Sequence, residues 1–341
     1  MSTFNSKTSA LDVAQKHSSR ITDKTVLITG VTLGSIGEAT ARAFAHGGAA
    51  TIIITGRDRT KLANALSTLA EAYPKTTFRP LMLNLSSTKA VQDAANEILK
   101  DEAIPQLDFV IANAGINGFD APRTETADGI ELHFGVNHLA HYLLVKLLLP
   151  KIKAAAAKNP PGMTRIIIVS SGQCFASPIR FSDWNFEKAL NDVPDAEKPK
   201  WAPLASALGL PQEAGVFQAN IAYSQSKTAN ILTAVQLNKL LATEGIYSFA
   251  LSPGLVNSNA GKRVMPKMKE ESLKKLGEPK TLEQGAATTL VAATDPDLKP
   301  DDGVYFADCQ PAMKKCPPFA SDPVAAEKLW LLSDEILGSR G

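Results

Sequence analysis

Tyr223 and Lys227 stand four residues apart in Tyr223-Ser224-Gln225-Ser226-Lys227, at the head of an apolar-periodic run that reads as a helix. On a helix this spacing puts both side chains on one face, where an ammonium lowers the pKa of a phenol. A free tyrosine titrates near pKa ~10, so acting near neutral pH takes about three units, roughly 4 kcal/mol in favour of phenolate. Upstream, the apolar run Arg165 to Val169 ends in Ser170-Ser171. A carbonyl that receives a hydride needs one donor to hold its oxygen and one acid to protonate it, roles that a serine hydroxyl and a tyrosine phenol fill. A lone Tyr/Lys pair on an exposed helix start would need no chemistry; its company gives this pair its weight.

That company begins with Thr29-Gly30-Val31-Thr32-Leu33-Gly34-Ser35-Ile36-Gly37, between a β-branched run and a helical pattern at Ile36, Ala39, Ala43 and Phe44. Glycines there let the chain turn tightly and let backbone N–H groups at a helix N-terminus approach a pyrophosphate. Roughly twenty residues beyond, where an acidic side chain would hold a bare ribose, stands Arg57. A guanidinium suits a 2′-phosphate, so NADP(H) is expected over NAD(H), with the neighbouring Asp58 as the opposing signal. The positive nicotinamide of the oxidised cofactor would join Lys227 in stabilising the phenolate.

These residues need a scaffold, and the pattern supplies one. Apolar runs at Val26 to Thr29, Thr51 to Thr55, Phe78 to Leu83, Leu107 to Ala112, Arg165 to Val169, Tyr247 to Ser252 and Val304 to Ala307 alternate with helical patterns. The helices are expected at Leu62 to Tyr73, Lys89 to Leu99, about Ala127 to Leu149 and Tyr223 to Leu241, and a C-terminal one with apolar spacing at Ala325, Leu329, Leu332 and Ile336 should pack on the sheet. The pattern predicts an α/β fold, a Rossmann-type doubly wound seven-stranded parallel sheet with helices on both faces. Residues 1–20 read as an N-terminal arm and 21–341 as a single dinucleotide-binding catalytic domain. Segments 174–221 and 254–282 break the alternation after strand ends and read as substrate-side covers.

The bulk numbers narrow the function further. The 341 residues are 44% hydrophobic and 21% charged, and 36 basic against 34 acidic residues leave a net charge of only +2, so no nucleic acid partner is implied. Cys174, Cys309 and Cys316 are too few for a disulfide framework, and the five histidines show no metal-ligand spacing. With no secretory signal pattern and no run long enough for a membrane span, a metal-free cytoplasmic protein is expected.

Taken together, Thr29-Gly30 with Gly34 and Gly37, Ala112-Asn113-Ala114-Gly115, Asn137, Ser171, Tyr223 with Lys227, and Pro253-Gly254 resemble the classical short-chain dehydrogenase/reductase family, from about residue 21 to the C-terminus. Asn137-His138-Leu139, Tyr223 through Asn230 and Tyr305-Phe306-Ala307-Asp308-Cys309 resemble its retinol-dehydrogenase and WW-domain-oxidoreductase branch, without a WW domain before residue 21. A retinoid substrate is not carried over with that likeness. The resemblance implies Ser171 as carbonyl-orienting residue, Tyr223 as acid/base, and Lys227 as ribose ligand linked to a water relay on the backbone of Asn137. It implies Asn113, with Ala114 and Gly115, beside the cofactor, Asn84 and Leu85 near the adenine where the family usually has an aspartate, and Val256 with Ser258 after Pro253-Gly254 at the nicotinamide amide. The glycine cluster carries one extra residue, with Ser35 and Ile36 between Gly34 and Gly37, so a reshaped phosphate turn is expected. The long gap from Ser171 to Tyr223 must loop out over the substrate mouth.

For the substrate side, Phe119, Cys174, Phe175, Phe217 and Leu255 are the candidate pocket residues, and Trp184 and Trp201 either join them or form the insertion's own core. Cys174 is expected as pocket wall and not as nucleophile. Aromatic side chains near a cleft favour a sizeable apolar ketone or aldehyde, reduced with NADPH or formed by the reverse oxidation. Two other readings use the same residues: a nucleotide-sugar epimerase or dehydratase with a retained cofactor, and a non-enzymatic NADP-binding sensor or scaffold. Association is expected as monomer or homodimer.

Overall fold

A computed structural model describes residues 3–117, 122–200, 216–268, 270, 273–274 and 277–338. Strands β1 (Thr25–Ile28), β2 (Thr51–Gly56), β3 (Thr77–Met82), β4 (Phe109–Ala112), β5 (Thr164–Val169), β6 (Ile246–Ser252), β7 (Tyr305–Ala307) and β8 (Gln310–Pro311) form one sheet in the order β3-β2-β1-β4-β5-β6-β7-β8. The seven expected parallel strands are all there. The eighth, antiparallel to β7, is two residues long and so carries no periodic signal.

The central strands are largely apolar because both faces are covered, while the edge strand β3 alternates exposed and buried positions. Val26, Ile28, Ile52, Ile54, Phe109, Ile111, Ile167, Val169, Phe249 and Leu251 share one buried cluster, while Leu27, Ile53, Val110, Ala112, Ile166, Ile168 and Ala250 belong to another. This is the two-residue alternation of a strand read on two faces. Helices α1 (Ala10–Lys16), α2 (Ile36–His46) and α7 (Leu282–Thr294) pack together against the first cluster. Against the second lie α4 (Thr88–Lys100), α5 (Ala140–Ala156) and α6 (Ala219–Leu241), with α3 (Arg59–Ala72) beside β2 and β3.

The helix expected from Ala127 to Leu149 starts later and ends later. Residues 126–129 instead make a turn in which Gly129 takes φ 71°, and Glu131 caps the helix start by accepting from the His133 and Phe134 N–H groups at 3.0 and 2.8 Å. A π-helical turn over Gly135–Leu139 then leads into α5, which continues past Pro150 to Ala156. Helix α6 begins at Ala219, one turn before Tyr223.

The C-terminal helix α8 (Pro323–Gly338) does not pack on the sheet. Its Leu329 and Ile336 join Phe134, Leu139, Ala229 and Leu232 in a separate cluster, Ser333 bonds the His138 Nε2 at 2.9 Å, and Lys239 of α6 reaches Glu327 at 3.1 Å. It forms a third layer over α5 and α6.

Strand β5, which carries the serine pair at its far end, is anchored at its base by Arg165. This guanidinium is fully buried, donates to the carbonyls of Gly162, Ala292 and Asp295 at 2.8, 2.8 and 2.7 Å, and lies 5.3 Å from the Phe249 ring centroid. Replacing Arg165 by Met strands the Ala292 and Asp295 carbonyls, while the Gly162 carbonyl keeps Arg20 at 2.7 Å, so equilibrium urea unfolding is expected to show a loss of about 3 kcal/mol; a loss below about 1 kcal/mol would show that these bonds contribute little.

Candidate active site

Ser171 follows β5 and starts a short 3-10 turn, Gly172–Ala176, with its hydroxyl accepting from the Gln173 N–H at 3.2 Å. The Tyr223 phenol comes close enough to this hydroxyl for Ser171 to draw its pKa down, so the roughly fifty-residue gap closes in space. Ser170 is spent elsewhere: its hydroxyl donates to the Lys227 carbonyl at 2.6 Å. One turn along α6, the Lys227 ammonium is buried, donates to the Val169 carbonyl at 2.9 Å and lies 5.7 Å from the Tyr223 ring centroid. A methyl placed on Gly115 would lie 3.2 Å from the Asn137 Oδ1 and 3.3 Å from the Lys227 Nζ. Ser171, Tyr223, Lys227, Asn137 and Gly115 therefore meet at the carboxyl ends of β4 and β5.

The electrostatics differ from the sequence expectation. Burial pushes the Tyr223 phenol up to about 12, against the opposing pull of the Ser171 hydroxyl. Burial also lowers the Lys227 ammonium to about 8. In the chain alone, desolvation of α6 outweighs any help from the lysine, so at neutral pH the phenol holds its proton. Asn137 is fixed on both sides: its Oδ1 accepts from Ile116 N–H at 2.8 Å, and its Nδ2 donates to the Ile116 carbonyl at 3.1 Å and the Ser226 hydroxyl at 2.9 Å.

The glycine cluster links β1 to α2. Gly30 and Gly34 take φ 75° and 77°, and a Cβ on Gly37 would meet the Gly30 carbonyl oxygen at 2.5 Å and the Asn113 Nδ2 at 2.8 Å. Ser35 is the helix N-cap, accepting from the N–H groups of Glu38 and Thr32 at 3.1 and 3.3 Å. The N–H groups of Ile36 and Gly37 have no partner among the described residues. Two free N–H groups at a helix N-terminus fit a pyrophosphate. Thr29 ties this turn to β4: its hydroxyl accepts from the Asn113 and Ala114 N–H groups at 2.9 Å each, and Asn113 Nδ2 donates to the Thr29 carbonyl at 2.8 Å.

Arg57 is exposed directly after β2, with no ion pair or hydrogen bond among the described residues. Asp58 is committed to capping α3, accepting from Lys61 N–H at 3.0 Å. Asn84 is exposed, its Oδ1 accepting from the Ser86 N–H and hydroxyl at 3.1 and 2.7 Å, which leaves its NH2 for a ligand, and Leu85 is buried beside it. After β6, Pro253 and Gly254 (φ 84°) lead to buried Val256 and to Ser258, whose hydroxyl accepts from Gly261 N–H at 3.1 Å. The next residue, Asn259, clasps the glycine turn: its Nδ2 donates to the Leu33 carbonyl at 2.7 Å and its N–H to the Gly34 carbonyl at 3.1 Å. Sequence gave no signal for this contact, which spans 226 residues.

Among the substrate candidates, Cys174 is fully buried, its thiol pushed well up by burial, which fits a wall and not a nucleophile. Phe175 is half-buried and edge-on to Tyr305 with ring centroids 6.2 Å apart. Phe217 stacks edge-on against Phe186 at 5.9 Å, in a small cluster with Ala176, Ile221 and Ala222, and Leu255 is half-buried, its carbonyl accepting from Lys280 N–H at 2.8 Å. Trp184 packs against Phe134 at 5.7 Å and joins the cluster that α8 shares with Phe134, Leu139, Ala229 and Leu232, not a core of the insertion's own. Phe119 and Trp201 lie outside the described residues. Gln173, two residues past Ser171, has a buried side-chain oxygen with no partner among the described residues.

Sequence reasoning also missed the Glu131-His133 pair, whose carboxylate and Nδ1 are 2.7 Å apart; the His133 ring is edge-on to Tyr223 at 6.2 Å. The turn formed by residues 126–129 brings it there, and the helical reading had hidden that turn.

Residues 24–185 match the short chain dehydrogenase family. The chain is 35% identical over 251 residues to oxidoreductase fscI of Fusarium equiseti, covering 74% of this chain and 94% of that relative. It is 34% identical over 328 residues to retinol dehydrogenase 14 of Mus musculus, covering 92% and 86%, as the expected branch requires. Among solved structures, an uncharacterized protein from Mycobacterium Paratuberculosis shares the fold with TM-score 0.64 at 26% identity, covering 93% of this chain and 94% of that one. With its seven parallel strands, its glycine turn, and Ser171 brought together with the buried Tyr223 and Lys227, the chain belongs to the short-chain dehydrogenase family of oxidoreductases.

Proposed function

We propose that the chain reduces a ketone or aldehyde to an alcohol with NADPH, or runs the reverse oxidation. The observation that carries this reading is the meeting of Ser171, Tyr223 and a buried Lys227, with the Lys227 ammonium 5.7 Å from the Tyr223 ring centroid. When bound, the nicotinamide supplies or takes the hydride. Ser171 holds the carbonyl oxygen, and Tyr223, protonated because burial raises its pKa to about 12, delivers a proton to that oxygen. Lys227 then stabilises the phenolate left behind and, through a water on the Asn137 carbonyl, returns the proton. The Ile36 and Gly37 N–H groups and the Ser35 hydroxyl would hold the pyrophosphate.

Arg57 is the residue that selects the phosphorylated cofactor, because its guanidinium is uncommitted while Asp58 is held by its helix cap. The substrate is a sizeable apolar carbonyl compound that meets Phe175 and Leu255, with the Gln173 oxygen as acceptor for one donor group on it.

Three measurements test the reading. Tyr223→Phe should lower kcat by at least about a thousandfold across a panel of ketones and aldehydes while NADPH still binds; NADPH binding by the parent with no turnover of any panel member would instead mark a sensor or scaffold. Arg57→Asp should reverse the cofactor preference, raising the KM for NADPH about tenfold or more; an unchanged preference sinks the assignment. Because reduction needs Lys227 charged, and its ammonium is lowered to about 8, kcat/KM for the carbonyl should be level below about pH 7.5 and fall about tenfold per unit at higher pH. A profile that stays level through pH ~10 contradicts the role given to Lys227.

A further inference from the structure

The Asn137 main-chain carbonyl is the atom on which the proposed proton return depends, and it sits where the helical hydrogen-bond ladder changes register. In the π turn Gly135–Leu139, the Ala140 N–H reaches back to the Gly135 carbonyl, five residues away. The Asn137 carbonyl lies within this turn, where a side-chain partner can set its direction.

His141 supplies that partner. Its Nδ1 lies 3.3 Å from the Asn137 carbonyl oxygen and its Nε2 lies 2.9 Å from the Thr29 hydroxyl. A carbonyl oxygen only accepts, so Nδ1 carries the proton. Burial, aided by the charge of Lys227 on the catalytic helix, lowers His141 to about 4 against the pull of the Asn137 carbonyl, and His138 is the other titratable neighbour, on His141's own helix. The ring is therefore neutral at working pH, and Nε2 accepts from Thr29. The single Thr29 proton takes this 2.9 Å bond in preference to the Ile111 carbonyl at 3.5 Å. Since Thr29 also accepts from the Asn113 and Ala114 N–H groups, a directed chain runs from the end of β4, through Thr29 and the imidazole, to the Asn137 carbonyl.

His141 lines a cavity of about 10 Å³ with Ala112, Val145 and Ile168 and with His138, Tyr142, Asn230 and Thr233, yet its two nitrogens are directed away from these side chains, to the Asn137 carbonyl and the Thr29 hydroxyl. A buried imidazole costs stability unless both nitrogens are satisfied, and here both are.

From this geometry we infer that His141 is a positioning residue for proton return: it fixes one lone pair of the Asn137 carbonyl and leaves the other for the water that serves Lys227. The inference rests on the Tyr223 and Lys227 roles proposed above.

The test compares three variants by steady-state kinetics with NADPH and a turned-over carbonyl substrate. His141→Phe keeps a buried ring and removes both bonds; kcat should fall about tenfold and its solvent deuterium isotope effect should rise, with NADPH Kd and substrate KM within about twofold of the parent. His141→Asn keeps a donor at the δ position, so kcat should recover to within about threefold of the parent. A parental kcat and isotope effect in His141→Phe overturns the inference. So does a loss of kcat that follows a matching loss of NADPH affinity, or an Asn variant as impaired as the Phe variant. If His141→Phe does not fold, the Asn variant decides alone: near-parental kcat supports the inference, and a kcat down about tenfold or more overturns it. Tyr223→Phe separates the two readings, because undiminished turnover there removes the catalytic assignment itself, whatever His141 does.

Discussion

The site depends on how the ends of β1 and β4 are tied together where the chain leaves the sheet in opposite directions. After β1 it enters α2, whose Ala39, Ala43 and Phe44 pack on the face carrying Val26 and Ile28. After β4 it reaches α5, whose Leu144 and Leu148 pack on the face carrying Leu27. Two adjacent parallel strands that part in this way leave a crevice at their carboxyl ends, along with backbone groups that have no strand to pair with. The Thr29 hydroxyl and carbonyl take up the Asn113 and Ala114 N–H groups and the Asn113 amide. Leaving such buried groups unpaired would cost about 1–3 kcal/mol each. With the two ends knitted, Gly30 and Gly37 come close enough that a side chain on Gly37 would collide with both the Gly30 carbonyl and Asn113. The anion-binding turn and the catalytic strand end are thereby set by one joint.

The second constraint is burial of a polar helix. Helix α6 is buried along nearly its whole length, although it carries Ser224, Gln225, Ser226, Thr228, Asn230 and Thr233 beside Tyr223 and Lys227. Each of these polar side chains finds a partner, whereas the buried Gln236 oxygen further along the helix has none among the described residues. Ser224 bonds the Asn220 carbonyl, Thr228 the Cys174 and Ser177 carbonyls, Asn230 the Val169 carbonyl, and Gln225 both the Arg180 N–H and the Trp184 carbonyl. Those last partners belong to the segment following Ser171, so the long insertion seals the catalytic helix from water. Desolvation then raises the phenol and lowers the lysine together. A protonated acid and a nearly neutral-pKa base in one dry pocket suit proton delivery better than proton abstraction until a cationic cofactor is present.

What could be read from sequence was what is local in sequence. The central strands announce themselves because burial on both faces makes them largely apolar, and the glycine turn because αL backbone and close approach admit few other residues. Tyr223, Lys227 and Ser171 were legible through spacing and strand ends. The Asp58 cap was legible in principle, as an aspartate at the head of the Arg59–Ala72 helix, but it was weighed only as a ribose ligand. The rest depends on contacts between distant segments. Whether Ile336 and Leu329 face the sheet or the helices α5 and α6 is not encoded in their spacing, since either surface buries the same stripe. The turn formed by residues 126–129 was hidden by the apolar residues on either side, and Asn259 carries no pattern that marks it as a clasp.

The extra residue in the glycine cluster is accommodated by changing which atom caps α2. Gly34 takes the left-handed conformation, and its N–H is held at 3.0 Å by the Glu38 carboxylate, which lies 3.7 Å from Arg42. Ser35 then becomes the N-cap, and both of its bonds use its hydroxyl as acceptor. The hydroxyl proton is left to donate, beside the N–H groups of Ile36 and Gly37. The extra residue therefore leaves the Ser35 hydroxyl proton free in the glycine turn, while the Gly34 N–H is spent on Glu38. It also places the Leu33 and Gly34 carbonyls where Asn259 can reach them, joining the phosphate turn to the segment that follows β6. A longer turn would ordinarily be a looser one; here the N-cap, the Glu38 carboxylate and the Asn259 clasp each remove a degree of freedom that the added residue introduced.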